Sequence, residues 1–162
     1  MLLRINNHRP ALLDLPENKN KGFAMDIDSA LAGINWLSVF AATIAAFALG
    51  AVWYSSRVFG AAWMREIGLT EESAGKANMP LIFGTVFVLQ FIAAAALAAF
   101  MPANSDWLVG LQWGLAVGVF WITTAYAITY LFEQRSLCLF MINSGYYVVL
   151  FSIMGTIIGV WP

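Results

Sequence analysis

Four long apolar segments constrain the fold of this chain more than any other feature of its sequence. An α-helix needs roughly 20 residues to cross the hydrocarbon core of a bilayer, and each segment reaches that length. Backbone groups in lipid must be hydrogen-bonded within the protein, and no segment alternates with a period of two as a barrel strand does. The pattern therefore predicts an all-α integral membrane protein, a four-transmembrane-helix bundle with spans at residues 34–54, 81–101, 107–132 and 137–161.

Composition supports a membrane environment and narrows the possible chemistry. Charged residues make up 10% of the chain, whereas a soluble domain has about 25%. The single cysteine, Cys138, cannot form an internal disulfide or a thiol pair, and the single histidine, His8, precedes the first apolar segment. Haem, zinc and di-iron sites most often use histidine. The sequence therefore predicts no metal site and no cofactor.

Charged side chains are concentrated before the first apolar segment. Within that stretch, Met25 begins a short acidic leader, MDIDSALAGINW. We expect Met25 to be the native start and residues 1–24 to be a non-native or disordered extension. Residues 25–162 are then expected to form a single four-helix transmembrane domain.

The connections between the spans differ in length. Residues 102–106 and 133–136 read as tight turns, with Pro102 ending the second span. The first connection is longer, and Phe59, Trp63 and Ile67 in it share a face at a spacing of four, which predicts a short interfacial helix. Thr70, followed by two acids, is predicted to be the N-cap of the next helix.

Lysine and arginine in short loops predict the orientation of the chain in a membrane. The first and third connections carry these residues, and the second carries none. We therefore expect the first and third connections to be cytoplasmic and both termini to lie outside. The lipid bilayer is the expected partner, and no nucleic acid is expected. The basic residues are Arg57, Arg65, Lys76 and Arg135.

Small residues repeat every four positions along three spans. Small side chains allow two helix backbones to approach closely. The repeats therefore predict tight packing, either inside the bundle, which we favour, or between copies in a homo-oligomer. They comprise Ala42, Ala46 and Gly50, then Gly110, Gly114 and Gly118, then Gly155 and Gly159.

Polar side chains in the second half of the chain form the best candidate pocket. An amide in hydrocarbon requires a hydrogen-bond partner, so Asn143 predicts either a bond between helices, which we favour, or the lining of a ligand site. Thr123, Tyr126 and Tyr130 share one face by their i, i+3, i+7 spacing. The candidate polar pocket therefore comprises Thr123, Tyr126, Tyr130, Asn143 and Tyr146.

Several short motifs, in order along the chain, resemble a known family. They are INW (34–36), GAVWYS (50–55), FGAAWM (59–64), GLT (68–70), KANM (76–79) and LFEQRSLCLFMINSGY (131–146). The chain resembles the bacterial membrane family catalogued as domain of unknown function 1761. The resemblance implies four transmembrane helices and a small bacterial inner-membrane protein, and it implies no activity, substrate or catalytic residue.

The resemblance places signature residues at the cytoplasmic ends of the spans. We expect Tyr54, Ser55, Trp63, Glu133 and Arg135 to contact one another there as a cytoplasmic-face network. The alternative, which we favour for Glu133 and Arg135 themselves, is a turn whose charges lie among lipid headgroups.

The function suggested by these patterns is a membrane binding or assembly module. The alternative is an oligomeric small-solute or ion permeation protein. A lipid-modifying enzyme is less favoured, because Ser55 and Ser144 have no visible base and no catalytic constellation is present. A dry, small-residue core favours the first function, and a continuous polar path favours the second.

Overall fold

The structure is a computed structural model that describes residues 31–161. Within this range there is no strand, and four helices are long and apolar enough to span a membrane. The predicted all-α membrane bundle is therefore confirmed, while the expectation for residues 1–24 lies outside the described range. From residue 36 onward the helices are α1 (Trp36–Trp53), α2 (Gly60–Ile67), α3 (Glu71–Gly75), α4 (Met79–Phe100), α5 (Trp107–Phe132) and α6 (Leu137–Val160).

Each spanning helix begins directly after a residue that caps it. The cap's side-chain oxygen accepts hydrogen bonds from N–H groups of the first turn, which have no partner within the helix. These caps fix the helix starts, and the observed ends agree with the predicted spans to within two residues. The caps are Asn35, Asn78, Asp106 and Ser136.

The first connection contains two short helices. The predicted interfacial helix is present as α2. Thr70 caps a helix, as expected, but that helix is only the five-residue α3. Thr70 and Ser73 form a reciprocal capping box, each side chain accepting from the other's backbone N–H. The spanning helix α4 begins later, after Asn78.

Helix α6 is the centre of the bundle. It packs against α1, α4 and α5, and α1 also packs against α4. Eleven residues of α6 are buried, but only two of α4 and three of α5, which are all glycines. Helices α4 and α5 therefore lie at the periphery, and each has a broad face that no other described helix covers.

Glycines bring α5 and α6 into backbone contact. A Cβ atom added at Gly110 would collide with the carbonyl of Gly155, and one added at Gly114 would collide with the carbonyl of Phe151. On α1, Ala42 and Ala46 are fully buried. The small-residue repeats thus pack against other helices of the same chain.

All lysines and arginines among residues 31–161 lie in the first and third connections. A hydrogen bond from the Ser136 hydroxyl to the Glu66 carboxylate joins these two connections, so they lie at the same end of the bundle. We call this the basic end and the opposite one the far end.

Candidate functional site

Asn143 on α6 links three parts of the bundle near the basic end. The hydroxyl of Tyr54, just past α1, donates to Asn143 Oδ1 over 3.0 Å. Asn143 Nδ2 donates to the hydroxyl of Tyr130 on α5 over 2.7 Å. Asn143 is 8% exposed, so its amide is removed from lipid and satisfied at both ends.

All five tyrosines of the chain lie around this amide. Their rings form a continuous series of contacts from α1 through α6 to α5, and the two Asn143 hydrogen bonds close the series into a ring. Edge-to-face and tilted contacts at such distances are the geometries that aromatic rings prefer. The centroid distances are 5.1 Å for Tyr54–Tyr146, 5.1 Å for Tyr146–Tyr147, 5.6 Å for Tyr147–Tyr126 and 5.3 Å for Tyr126–Tyr130.

Two further hydrogen bonds extend the group toward α1 and α4. Trp53 Nε1 donates to the backbone carbonyl of Ile142 over 3.1 Å. Gln90 Nε2 donates to the Tyr146 hydroxyl over 3.0 Å. All four spanning helices thus contribute side chains to one cluster, and Tyr54, directly after α1, also belongs to it. The tyrosine–amide cluster comprises Trp53, Tyr54, Gln90, Tyr126, Tyr130, Asn143, Tyr146 and Tyr147.

A π-helical segment in the middle of α5 sets the direction of the α5 tyrosines. It covers Val117–Thr123 and follows Gly110 and Gly114 along the face that touches α6. The Thr123 hydroxyl donates to the carbonyl of Gly118 over 2.9 Å, five residues earlier. The wider turn changes the register of everything after it. Tyr126 and Tyr130 consequently turn toward α6.

The structure brings together four of the five residues of the predicted pocket. Tyr126, Tyr130, Asn143 and Tyr146 belong to the cluster, whereas Thr123 bonds to its own helix. Sequence reasoning left four cluster members out of this group. Each had a signal: Tyr147 lies four residues after Asn143 on the same helical face, Gln90 is a lone amide in an apolar span, and Trp53 and Tyr54 end the first span.

The predicted cytoplasmic-face network divides into separate contacts in the structure. The rings of Tyr54 and Trp63 pack at 5.3 Å. The Ser55 hydroxyl donates to the carbonyl of Val52. Glu133 and Arg135 pair with each other at 3.0 Å, with both side chains about half exposed. Within residues 31–161, no hydrogen bond or ion pair joins that pair to the other three.

The cluster is uncharged. The four spans contain no Asp, Glu, Lys or Arg. Burial raises the pKa of the Tyr54 phenol above its ordinary value, and the neighbouring tyrosines add to this effect. Tyr54 therefore keeps the proton that it donates to Asn143. Among the described residues, no group of three His, Cys, Asp or Glu side chains could hold a metal ion.

A cleft of about 290 Å³ opens at the far end, away from the cluster. It lies between the start of α1, the end of α4 and the turn that follows α4. Its hydroxyls bond to nearby carbonyls: Ser38 donates to that of Asn35, and Ser105 to that of Pro102. These serines are therefore satisfied within the chain.

Comparison with known proteins finds one family. A family described as "Protein of unknown function (DUF1761)" matches residues 37–159, more than half of the chain. The match begins in α1 and ends in the last turn of α6, so it includes every member of the tyrosine–amide cluster. No curated protein and no solved structure matches.

Proposed function

The chain belongs to the DUF1761 family of proteins of unknown function, and we propose that it is a membrane assembly module that joins a second copy of itself through the outer face of α5. The observation that carries this proposal is a single polar residue on that face, Gln112. Its side chain is exposed, and it forms no hydrogen bond with another described residue.

Gln112 points away from the packed side of α5. Gly110 and Gly114, on either side of it in sequence, contact α6. At about 100° per residue, Gln112 lies about 180° around the helix from the midpoint of these glycines. It is five residues inside the span that begins at Trp107, so the amide faces lipid unless another molecule covers it.

A second copy of the chain is the partner that best fits the exposed Gln112 amide. A carboxamide both donates and accepts hydrogen bonds, so two copies related by a two-fold axis can pair their amides reciprocally. Polar side chains hold membrane helices together in this way. The exposed neighbours on the same face are apolar and would pack around the pair: Leu108, Leu115 and Val119.

The module is proposed to reside in the bacterial inner membrane with the basic end in the cytoplasm. The support is the location of all described lysines and arginines at that end. Cys138, exposed at the start of α6, provides a test. A membrane-impermeant thiol reagent should leave it unlabelled in intact cells and label it in inverted vesicles.

Disulfide cross-linking in native membranes tests the assembly. In a Cys138→Ser background, Leu115→Cys places a thiol next to Gln112 on the proposed interface. Ile92→Cys on α4 is a matched control, because each residue lies eight positions from its helix end at the far end. We expect a cross-linked dimer for Leu115→Cys only, and we expect Gln112→Leu to abolish it. Equal cross-linking at both positions, or no effect of Gln112→Leu, would refute the proposal.

A second candidate function is permeation of a small solute or ion through an oligomer. The observation that favours it is the series of polar groups from Gln90, midway along α4, to Tyr54 at the basic end. The spans carry no charge to compensate an ion, which makes a neutral solute the better substrate. Solute flux into proteoliposomes that is lost in Asn143→Leu would support permeation over assembly alone.

A further inference from the structure

The cleft at the far end has a wall that carries unpartnered backbone carbonyls. Ala98 and Ala99, which line the cleft, lie in the last turn of α4. Pro102 has no N–H group, so it cannot donate the helical hydrogen bond that the Ala98 carbonyl would otherwise accept. Within residues 31–161, no hydrogen bond reaches the carbonyl of either alanine. These two carbonyls are therefore available as acceptors for a ligand in the cleft.

The turn after α4 adds backbone donors to the same cleft. Ala103, Asn104 and Ser105 line it, and their N–H groups have no acceptor in the described part of the chain. Asn104 has a positive φ of 60°, as is common in tight turns. Successive N–H groups in a turn form a concave site for an anionic oxygen. The cleft thus combines acceptors on the α4 side with donors on the turn.

The charge of the cleft favours a ligand that is neutral overall. No charged side chain lines it, so a ligand with a net charge would lack a compensating partner there. The C-terminal ends of α4 and α6 carry partial negative charge, which favours a cationic group beside them. Trp161, which follows α6 and also lines the cleft, offers an aromatic ring to the same cation. A zwitterion can place its cation near the carbonyls and its anion on the turn.

The position and the size of the cleft match a lipid headgroup. Helix α1 begins beside it, and α4 and α6 end beside it. The cleft therefore lies at the level where the hydrocarbon core of a bilayer ends. Its volume of about 290 Å³ is roughly ten times a water molecule's share of the liquid, which is about 30 Å³. Such a space suits a headgroup better than a single ion.

We propose that the far-end cleft binds a zwitterionic phosphoethanolamine headgroup, supplied by a lipid of the surrounding bilayer. The primary ammonium has three N–H donors, like that of a lysine, and it bonds to the carbonyls of Ala98 and Ala99. The phosphate accepts from the N–H groups of the turn at residues 103–105. A quaternary ammonium has no N–H group, so a phosphocholine headgroup leaves the two carbonyls unpaired. The site is separate from the α5 interface and does not depend on it.

Native mass spectrometry of the full chain with added lipids tests the site. The probes are phosphatidylethanolamine, phosphatidylcholine and phosphatidylglycerol with identical acyl chains. We expect one bound phosphatidylethanolamine per chain and roughly tenfold weaker binding of the other two, because one hydrogen bond to a charged group is worth at least about that factor. Equal binding of the ethanolamine and choline lipids, or a preference for the anionic glycerol lipid, would overturn the proposal. This comparison uses the wild-type chain, so it does not depend on the folding of a variant.

Two matched variants on α4 locate the bound lipid. Ala99→Leu adds a larger side chain to the wall of the cleft, whereas Ala96→Leu makes the same change at an exposed position that does not line it. We expect Ala99→Leu to lose the preference for phosphatidylethanolamine and Ala96→Leu to keep it. An equal preference in both variants contradicts binding in the cleft.

The headgroup without its acyl chains identifies the source of the ligand. Glycerophosphoethanolamine carries the same ammonium and phosphate as the lipid but is soluble in water. We expect it to leave phosphatidylethanolamine bound when the two are present at equal concentration. Displacement of the lipid at that concentration would overturn the lipid as the source and identify a soluble zwitterion instead.

Discussion

Replacement of Asn143 by leucine tests whether the tyrosine–amide cluster stabilises the bundle. The two side chains have similar volume, so the change removes hydrogen bonds with little change in packing. It deletes the acceptor for Tyr54 and the donor to Tyr130, which join α6 to α1 and to α5. Asn143 is 8% exposed, so lipid or solvent cannot replace it without rearrangement.

The expected cost follows from these two bonds. Hydrogen bonds between membrane helices average about 0.6 kcal/mol and reach about 1.7 kcal/mol in double-mutant cycles. Two of them predict a loss of about 1–3 kcal/mol in the free energy of unfolding. Tyr54 and Tyr130 are only half-buried and can partly turn toward the headgroup layer, which favours the lower half of this range.

Unfolding in mixed micelles, followed by circular dichroism, measures this loss. A cycle of Asn143→Leu, Tyr130→Phe and the double variant should give a coupling of about 0.6 kcal/mol or more. Ser152→Ala is the matched control on α6, because that hydroxyl bonds only to its own helix through the carbonyl of Val148. Additivity in the cycle, or an unchanged stability of Asn143→Leu, would show that the cluster does not hold the helices together.

Three other changes follow from the same structure. Gly114→Ala should lower the free energy of unfolding by about 1–3 kcal/mol or more, because the added methyl group overpacks the contact with α6. Gly84→Ala is the control: its position has open space around it, so the change should be neutral or stabilising. Below about pH 10 the Tyr54 phenol is protonated in both the folded and the unfolded state. Above that pH, Tyr54 loses its proton in the unfolded state before it does so in the folded state, where its pKa is raised. Stability should therefore fall more steeply with rising alkaline pH in the wild type than in Tyr54→Phe. Glu66→Ala removes the bond from Ser136 and should speed hydrogen exchange in α2 without changing it in α6.

The spans were predictable because they depend on local information. A run of apolar residues of sufficient length must be helical in lipid, and the polar caps at its start mark where it begins. Asn78 and Asp106 are examples that the sequence displays directly. Thr70 is the exception, since it caps the separate helix α3 and gives no information on where α4 starts.

The arrangement of the site was only partly predictable. A uniform α-helix places Thr123, Tyr126 and Tyr130 on one face, but the π-helical segment includes Thr123 and turns its hydroxyl back to Gly118. Sequence spacing does not reveal such a change of period. Likewise, Tyr54 was grouped with residues at the surface because it follows the first span. Its side chain instead reaches back to Asn143.

The glycine contacts and the tyrosine–amide cluster solve different parts of one packing problem. Contacts between small residues bring α5 and α6 together, and because a Cβ atom at Gly114 would collide with the carbonyl of Phe151, they also oppose registers that place a larger residue there. Hydrogen bonds are directional, so the bonds of Asn143 are satisfied only in one register of α1, α5 and α6. An unpaired amide in this low-dielectric environment would be costly, which raises the free energy of every slipped arrangement. The cluster thus adds directional specificity to the steric fit of the glycine contacts, and through Tyr54 it extends that specificity to α1, which the glycine contacts between α5 and α6 do not involve.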